Sequence, residues 1–432
     1  MLRKRPRLSV VGASRPAAQK NVAGRGPKLP RLTAAQVGAG AMRFLRHIYG
    51  GQSVLFIMLL VFTVAIVGFG LVMMLSASSI ESLKTYNSVA YIFWRQFGIA
   101  LFGIVALTFA SLAARLVRKP KAVAWFFLGA LAVQFYTIAF GVNVNGNRQW
   151  FRVFNIQFQP SEFLKLAVIL VLALVISSRY DGIYDKRYFL LPALVAPGIT
   201  LAAILGGSDL GTSIIVGGFV LAMLWLAGAP LKQLGAVAGA AAVGAVVLSR
   251  LGNRGDRISS WLSADYSQDS GQYAWQATHG VWALANGHIG GVGLGMSTLK
   301  WSWLPEAQND YIFAIIGEEL GMGGALFTIA LFVALVICIF KVGMRASDMF
   351  GRMVCFGIGS WFLLQSVINI AVVLGVLPVL GVPLPLVSSG GSAMVSGLAA
   401  IGVVLGIERQ NFMDIERGVR AQLHLPFAGW AR

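Results

Sequence analysis

Long apolar segments separated by shorter polar ones dominate the chain. Each apolar segment has roughly the 17–25 residues that a helix needs to cross a bilayer. Ten such segments are predicted, at residues 53–75, 92–113, 122–141, 162–178, 189–206, 210–228, 232–250, 312–341, 351–376 and 388–408. The expected fold is therefore an all-α polytopic membrane protein with about ten transmembrane helices and one long extracytoplasmic loop before the eighth.

The overall composition supports this class of protein. Hydrophobic residues make up 57% of the 432 residues, which is unlike a soluble globule. The formal charge of +19 could suggest nucleic-acid binding, but its distribution argues otherwise. Residues 1–50 carry eleven Lys and Arg and no acidic residue. We expect a disordered cytoplasmic tail close to anionic lipid headgroups, followed by a transmembrane domain at 51–410 and a cytoplasmic tail at 411–432.

Loop charges predict the orientation of the helices. With the N-terminus inside, the short inner loops carry eleven basic residues and the short outer loops carry only Lys84, Arg148 and Arg152. This is the positive-inside pattern, so both termini are expected to be cytoplasmic. The long loop at 251–310 is then extracytoplasmic. Its five tryptophans and its glycines favour a partly ordered segment that follows the membrane surface.

Acidic residues are concentrated in the stretch 301–321. Four of the sixteen in the chain lie there: Glu306, Asp310, Glu318 and Glu319. Asp310 stands at a loop-to-helix junction, where it could simply cap the helix N-terminus or could act chemically. Glu318 and Glu319 fall inside an apolar segment. Ionisable groups are costly there and indicate a function.

Several other polar residues have both a structural and a functional interpretation. Arg148 could bind an anionic headgroup or a pyrophosphate. Glu162 and Lys165 stand at i,i+3 near a helix start and favour a structural ion pair, with Lys165 also able to face a ligand. Asp209 is expected to cap a helix in a tight turn. Gln365 and Asn369, at i,i+4, favour interhelical hydrogen bonds.

The glycine-rich run at 287–295 follows no predicted strand, so a dinucleotide site is disfavoured against flexibility or close helix approach. Two cysteines in apolar runs and four scattered histidines indicate neither disulfides nor a metal cluster. The polar features share one trait, since all are predicted on the outer half of the membrane. A polar cavity that opens outward explains this set: Arg148, Glu162, Lys165, Asp209, Gln276, Asp310 and Ser388.

Five ordered motifs resemble the SEDS family (shape, elongation, division and sporulation) over about residues 53–410. SEDS proteins are bacterial polytopic proteins that polymerise peptidoglycan from lipid II. The matching stretches are GNRQW with QPSE at 146–162, SDLGT at 208–212, WQATHG to GVGLG at 275–295, LPEAQNDYIFAIIGEELG at 304–321, and Q…N…GVPLPLVSSGGS at 365–392. Gln308 and Asn309 depart from the His-Thr that many members have before the aspartate.

The resemblance implies an inverting peptidoglycan glycosyltransferase of the plasma membrane, with an extracytoplasmic active site and Asp310 as the general base. It also implies a class B penicillin-binding protein transpeptidase and other division proteins as partners, and no nucleic acid. A division-type member is favoured. The alternatives are an elongation-type polymerase, a lipid II transporter and a non-catalytic scaffold for a transpeptidase.

The residues of the expected site fall into two sets. Arg148, Arg254, Arg257 and Lys300 are candidates to hold the leaving phosphate, and a divalent cation (Mg²⁺ or Mn²⁺) near Asp310 could share that role. The predicted substrate-binding set is Arg148, Lys165, Glu306, Gln276, Lys300 and Ser388. The predicted structural or gating set is Glu318, Glu319, Asp209 and Glu162.

Overall fold

A computed structural model describes residues 53–144, 147–153, 156–249, 261, 272–301 and 303–416. The helices in chain order are α1 Val54–Tyr86, α2 Tyr91–Leu112, α3 Pro120–Phe140, α4 Pro160–Arg179, α5 Leu191–Gly206, α6 Leu210–Leu226, α7 Leu231–Ser249, α8 Gln272–Gly287, α9 Ile312–Arg345, α10 Met349–Val373 and α11 Gly391–Glu416. Three strands follow α3: β1 Val142–Val144, β2 Asn147–Val153 and β3 Ile156–Phe158.

Helix starts follow local sequence signals. Proline occupies the first turn of α3 and α4, where a missing N–H costs nothing. The side chains of Ser53 and Asp209 accept hydrogen bonds from backbone amides in the first turns of α1 and α6. The predicted helix starts at residues 160–162 and after Asp209 are therefore confirmed.

Eight of the described helices are long and apolar enough to cross a membrane: α1 to α5 and α9 to α11. The sixth predicted span corresponds to α6, which is apolar but has only 17 residues, and the seventh corresponds to α7. A multi-pass all-α membrane protein is thus confirmed, while the count of ten stays a prediction. The predicted tail at 1–50 lies outside the described residues, and α11 continues to Glu416 within the predicted tail at 411–432.

Two connections contain structure that the apolar pattern did not predict. The predicted loop at 251–310 includes helix α8, which has 16 residues. The segment between α3 and α4 forms an antiparallel ribbon in the order β1–β2–β3, with Val142 opposite Trp150 and Phe151 opposite Phe158. Buried Gln149 ties this ribbon to the bundle by accepting from Gln134 and donating to the Ile204 carbonyl.

The helix ends and the connections between helices fall into two groups. Hydrogen bonds and ion pairs link members of the same group. One group, here called the Asp310 face, includes the β ribbon and residues 303–311 and 377–392. It is linked by Arg148 N to Gly207 O and by Ser389 N to Gln308 O. The other, the Asp348 face, includes the Arg118–Asp348 ion pair at 2.8 Å. The grouping matches the predicted alternation of loops, and which face lies outside stays a prediction.

Close packing of α2 against α11 depends on small residues. A Cβ atom added at Gly402 would lie 2.2 Å from the Leu107 carbonyl oxygen, so the two backbones approach as closely as glycine allows. Gly98, also in α2, has nothing within 4 Å of such a Cβ.

We therefore expect Gly402→Ala to lower the free energy of unfolding by about 1–3 kcal/mol, because a backbone must shift to admit the methyl group. Gly98→Ala is the matched control and should be neutral or slightly stabilising, since alanine is the better helix former. Denaturant titration in detergent measures both. Equal stability of the two variants would contradict the packing of α2 on α11.

Candidate active site at the Asp310 face

Residues 303–311, here called the Asp310 segment, are held from several sides. Gln276 of α8 donates to the Pro305 carbonyl at 3.2 Å. Gln308 donates its amide to Glu81 of α1 and accepts from Ser389 N at 2.9 Å through its carbonyl. A segment without regular structure is thereby fixed to two helices and to the 377–392 connection.

Asp310 is half-buried and lies two residues before the first helical residue of α9, Ile312. Its carbonyl accepts from Asn369 Nδ2 at 2.8 Å, and a Cβ added at Gly381 would lie 3.6 Å from its carboxylate. The N-cap of α9 is Tyr311, which makes no side-chain cap hydrogen bond. The N-cap position of α9 is thus Tyr311 and not Asp310, and a chemical role for Asp310 stays a prediction.

Tyr311, the last residue of the Asp310 segment, packs the segment against α8. Its ring packs against Gly280 of α8, and its buried hydroxyl has no hydrogen-bond partner among the described residues. Burial, together with the adjacent Asp310 carboxylate, raises the pKa of Tyr311. The phenol therefore stays neutral beside Asp310 at any physiological pH.

A buried polar network leads from α4 to the Asp310 segment. Lys165 pairs with Glu162 at 2.8 Å and donates to Gln365 of α10 at 2.9 Å. Gln365 donates to the Pro383 carbonyl, and Asn369, one turn later, donates to the carbonyls of Asp310 and Val382. The predicted i,i+3 pair and the predicted i,i+4 hydrogen-bonding face are both present, and they meet at α10.

Asp209 caps α6 as predicted. Its carboxylate accepts from Thr212 N at 2.9 Å, from Thr212 Oγ1 at 2.7 Å and from Gln159 Nε2 at 3.1 Å. Because Gln159 N also donates to Ser392 Oγ, the cap joins the starts of α4, α6 and α11. Its contacts are those of a structural residue.

The predicted substrate-binding residues differ in exposure. Arg148 on β2 and Glu306 are exposed, and Glu306 accepts from the Asn309 amide. Gln276 and Ser388 are buried, and Ser388 Oγ accepts from Leu384 N at 2.8 Å within the 377–392 connection. Their roles in substrate binding stay predictions.

Lys300 and the two glutamates of α9 engage the residues that follow α8, where Glu318 accepts hydrogen bonds from Thr298. Lys300 pairs with Glu319 at 3.0 Å, and both side chains are buried. Both glutamates lie in the first part of α9, which starts at Ile312 and departs from helical geometry at Gly321. Among the described residues the ammonium of Lys300 is engaged by protein oxygens.

Sequence reasoning missed two residues of α1 that take part in this region. Glu81 accepts from Gln308, and Ser76 donates to Glu319 at 2.6 Å. The predicted first span ended at residue 75, whereas α1 continues to Tyr86 and carries both residues to the Asp310 face. Glu81, a rare acidic residue just after an apolar run, was the available signal.

The predicted divalent cation and two of the predicted phosphate-binding arginines complete the set of expected site groups. No group of three or more His, Cys, Asp and Glu side chains suited to a metal ion occurs in the described ranges, and the divalent cation near Asp310 stays a prediction. Arg254 and Arg257 lie outside the described residues.

The fold and this site define a multi-pass membrane protein with a carboxylate held among the helix ends at one face. Residues 56–412 match the family described as Cell cycle protein, which comprises FtsW, RodA and SpoVE. The chain belongs to this family and is a multi-pass protein of the bacterial membrane.

Relatives with assigned names are close in sequence. The chain is 35% identical to the probable peptidoglycan glycosyltransferase FtsW of Mycobacterium tuberculosis, over 79% of this chain and 65% of that protein. It therefore spans less than two thirds of the mycobacterial relative. Identity to the probable peptidoglycan glycosyltransferase FtsW of Trichlorobacter lovleyi is also 35%, over 81% of this chain and 92% of that protein.

A solved structure shares the fold. It concerns the coordination of polymerization and crosslinking by a peptidoglycan synthase complex, and the similar chain has a TM-score of 0.63 and 24% identity. The similarity covers 82% of this chain and 98% of that chain.

The buried Glu162–Lys165 pair generates a prediction for stability. Lys165→Met leaves an unpaired buried carboxylate and should cost about 3–5 kcal/mol of unfolding free energy. The double variant Glu162→Gln/Lys165→Met should recover part of this loss, because no buried charge remains. Unfolding in detergent measures the double variant and the two single variants, Lys165→Met and Glu162→Gln. A loss of unfolding free energy in the double variant equal to the sum of the two single losses would contradict the pairing.

Proposed function

We propose that this protein is a peptidoglycan glycosyltransferase that polymerises lipid II into glycan strands and releases polyprenyl pyrophosphate, in septal wall synthesis during cell division. Family membership and the names of the relatives support the proposal. The observation that carries it is Asp310, a half-buried carboxylate at the Asp310 face whose backbone is held by Asn369.

The chemistry needs one base and a stabilised leaving group. Asp310 accepts the proton of the acceptor sugar hydroxyl as the hydroxyl oxygen bonds to the anomeric carbon of the donor. The bond from that carbon to the pyrophosphate oxygen breaks, and the polyprenyl pyrophosphate leaves with the electron pair. An α-linked donor gives a β-linked product in this single displacement, so no nucleophile on the enzyme is required.

Arg148 is our candidate for binding the pyrophosphate. Its guanidinium is exposed, it lies on β2, and its backbone N donates to Gly207 O, which attaches the strand to the α5–α6 turn. Guanidinium groups bind phosphate oxygens through several donors. We assign Glu306, Gln276 and Ser388 a supporting role, because they order the Asp310 segment and the adjoining 377–392 connection.

We place the reaction on the extracytoplasmic side, with both termini cytoplasmic, on the basis of the loop charges. The proposed partner is a class B penicillin-binding protein transpeptidase, because the similar solved chain comes from a synthase complex that couples polymerization to crosslinking. A cation remains outside the proposed mechanism.

Asp310→Ala and Asp310→Asn should each reduce glycan polymerisation by about 100-fold or more, because the base is lost. The assay supplies lipid II to the protein purified with its transpeptidase partner and resolves the glycan products by length. Asp181→Asn changes an exposed carboxylate at the other end of α4 and serves as the matched control.

Polymerisation at wild-type rates by both Asp310 variants would refute the catalytic assignment. If these variants move lipid II across the liposome membrane and the wild type does not polymerise it, the protein is instead a transporter.

Arg148→Ala should lower kcat/KM by about ten-fold, while Arg148→Lys retains part of the activity, because a lysine keeps the charge but loses the paired donors. Steady-state rates over a range of lipid II concentrations measure the difference. Full activity in both variants would remove Arg148 from the leaving-group site.

A further inference from the structure

Residues 286–300, here called the anchor loop, comprise the end of α8 and the loop that follows it. They are bound by two buried glutamates of α9. Glu318 Oε1 accepts from Asn286 Nδ2 at 2.9 Å, from Thr298 N at 3.0 Å and from Thr298 Oγ1 at 2.9 Å. Its other carboxylate oxygen accepts from Ser297 Oγ. One carboxylate thus satisfies polar groups at both ends of the anchor loop.

Glu319 supplies a second attachment. Its Oε1 accepts from Ser297 N at 3.3 Å and from Ser76 Oγ of α1, and it pairs with Lys300 Nζ at 3.0 Å. Lys300 Nζ also donates to Gly295 O at 2.7 Å. This ion pair therefore joins the anchor loop to α9 and to α1 at once.

Backbone hydrogen bonds extend the attachment at the break in α9. Val292 N and Gly293 N donate to the carbonyls of Glu318 and Glu319, each at 3.0 Å, and Met322 N donates to His288 O. A Cβ added at Gly291 would lie 2.2 Å from Glu319 O, so only glycine allows this approach. Gly321 adopts φ 65°, which frees these carbonyls from the helix.

The apolar surroundings of the anchor loop explain why buried charged residues hold it. Ile289, Leu294 and Met296 of the anchor loop are exposed at its surface, beside an apolar span. Irregular backbone next to hydrocarbon is stable only where protein groups satisfy it. A buried carboxylate is in turn stable only when it is paired, which Lys300 provides for Glu319.

The Asp310 segment lies between these attachments. Lys300 stands just before it, and Glu318 and Glu319 stand about two turns after the start of α9. Lys300 and Glu319 therefore close a ring of chain that contains Asp310. From this geometry we infer that the Glu319–Lys300 pair positions the Asp310 carboxylate for the reaction without touching substrate, an inference that rests on the proposed function.

The experiment compares variants that break the attachment in different ways. Glu319→Gln and Lys300→Met remove one charge each, and Gly291→Ala displaces the loop without changing charge. Gly290→Ala is the matched control, because a Cβ there has nothing within 4 Å. The double variant Glu319→Gln/Lys300→Met removes both charges together.

Two readouts are measured on the purified full-length protein. Hydrogen exchange of peptides covering residues 290–311 should accelerate by about ten-fold in the three single variants, while peptides of α10 keep wild-type exchange. In polymerisation assays kcat should fall by about ten-fold or more with KM within about two-fold, because the binding groups stay in place. The double variant should have exchange rates and kcat closer to those of the wild type. The control Gly290→Ala should match the wild type in both.

Unchanged exchange in all three single variants would overturn the attachment. Accelerated exchange with wild-type kcat, or raised KM with unchanged kcat, would overturn the positioning role, as would an equal effect of Gly290→Ala. Absence of polymerisation by the wild type would refute the proposed function, and the exchange data would still decide the attachment.

Discussion

Hydrocarbon offers no hydrogen bonds, and this constraint governs every polar group buried among these helices. The chain meets it with two internal assemblies. In one, Glu162 and Lys165 connect through Gln365 to the carbonyl contacts of Asn369. In the other, Glu318 and Glu319 satisfy the anchor loop and pair with Lys300. Both assemblies border the Asp310 segment, so the groups that stabilise the bundle also locate its central carboxylate.

Because that carboxylate lies on an irregular segment, the carbonyls of the segment need hydrogen-bond partners from other elements. Those partners also fix the position of the carboxylate. A helix would bury its carbonyls in its own hydrogen bonds, whereas the Asp310 segment offers them to α8, α10 and the 377–392 connection. Groups fixed by several independent elements keep their geometry as a substrate binds, which is what a general base needs. The exposed guanidinium of Arg148 stands on the β ribbon, a separate support on the same face.

Contacts between residues close in sequence could be predicted from the sequence. The helix start at Pro160, the cap by Asp209, the Glu162–Lys165 pair and the shared face of Gln365 and Asn369 all involve residues no more than four positions apart. Helical geometry alone brings such residues together, so spacing suffices to predict them. The apolar lengths likewise predicted a multi-pass helical fold, though they placed the end of α1 too early and missed α8 and the β ribbon.

The sequence by itself determined the apolar helices other than α8, the two groups of loops and the presence of rare acids near residue 310. The tertiary structure decided what those acids contact. Glu319 meets Ser76 of α1 and Lys300 of the anchor loop, and Glu81 meets Gln308, across separations that no periodicity encodes. Such partners depend on where distant segments return to one another, and that is settled by packing the whole bundle and by the cost of any buried charge left unpaired.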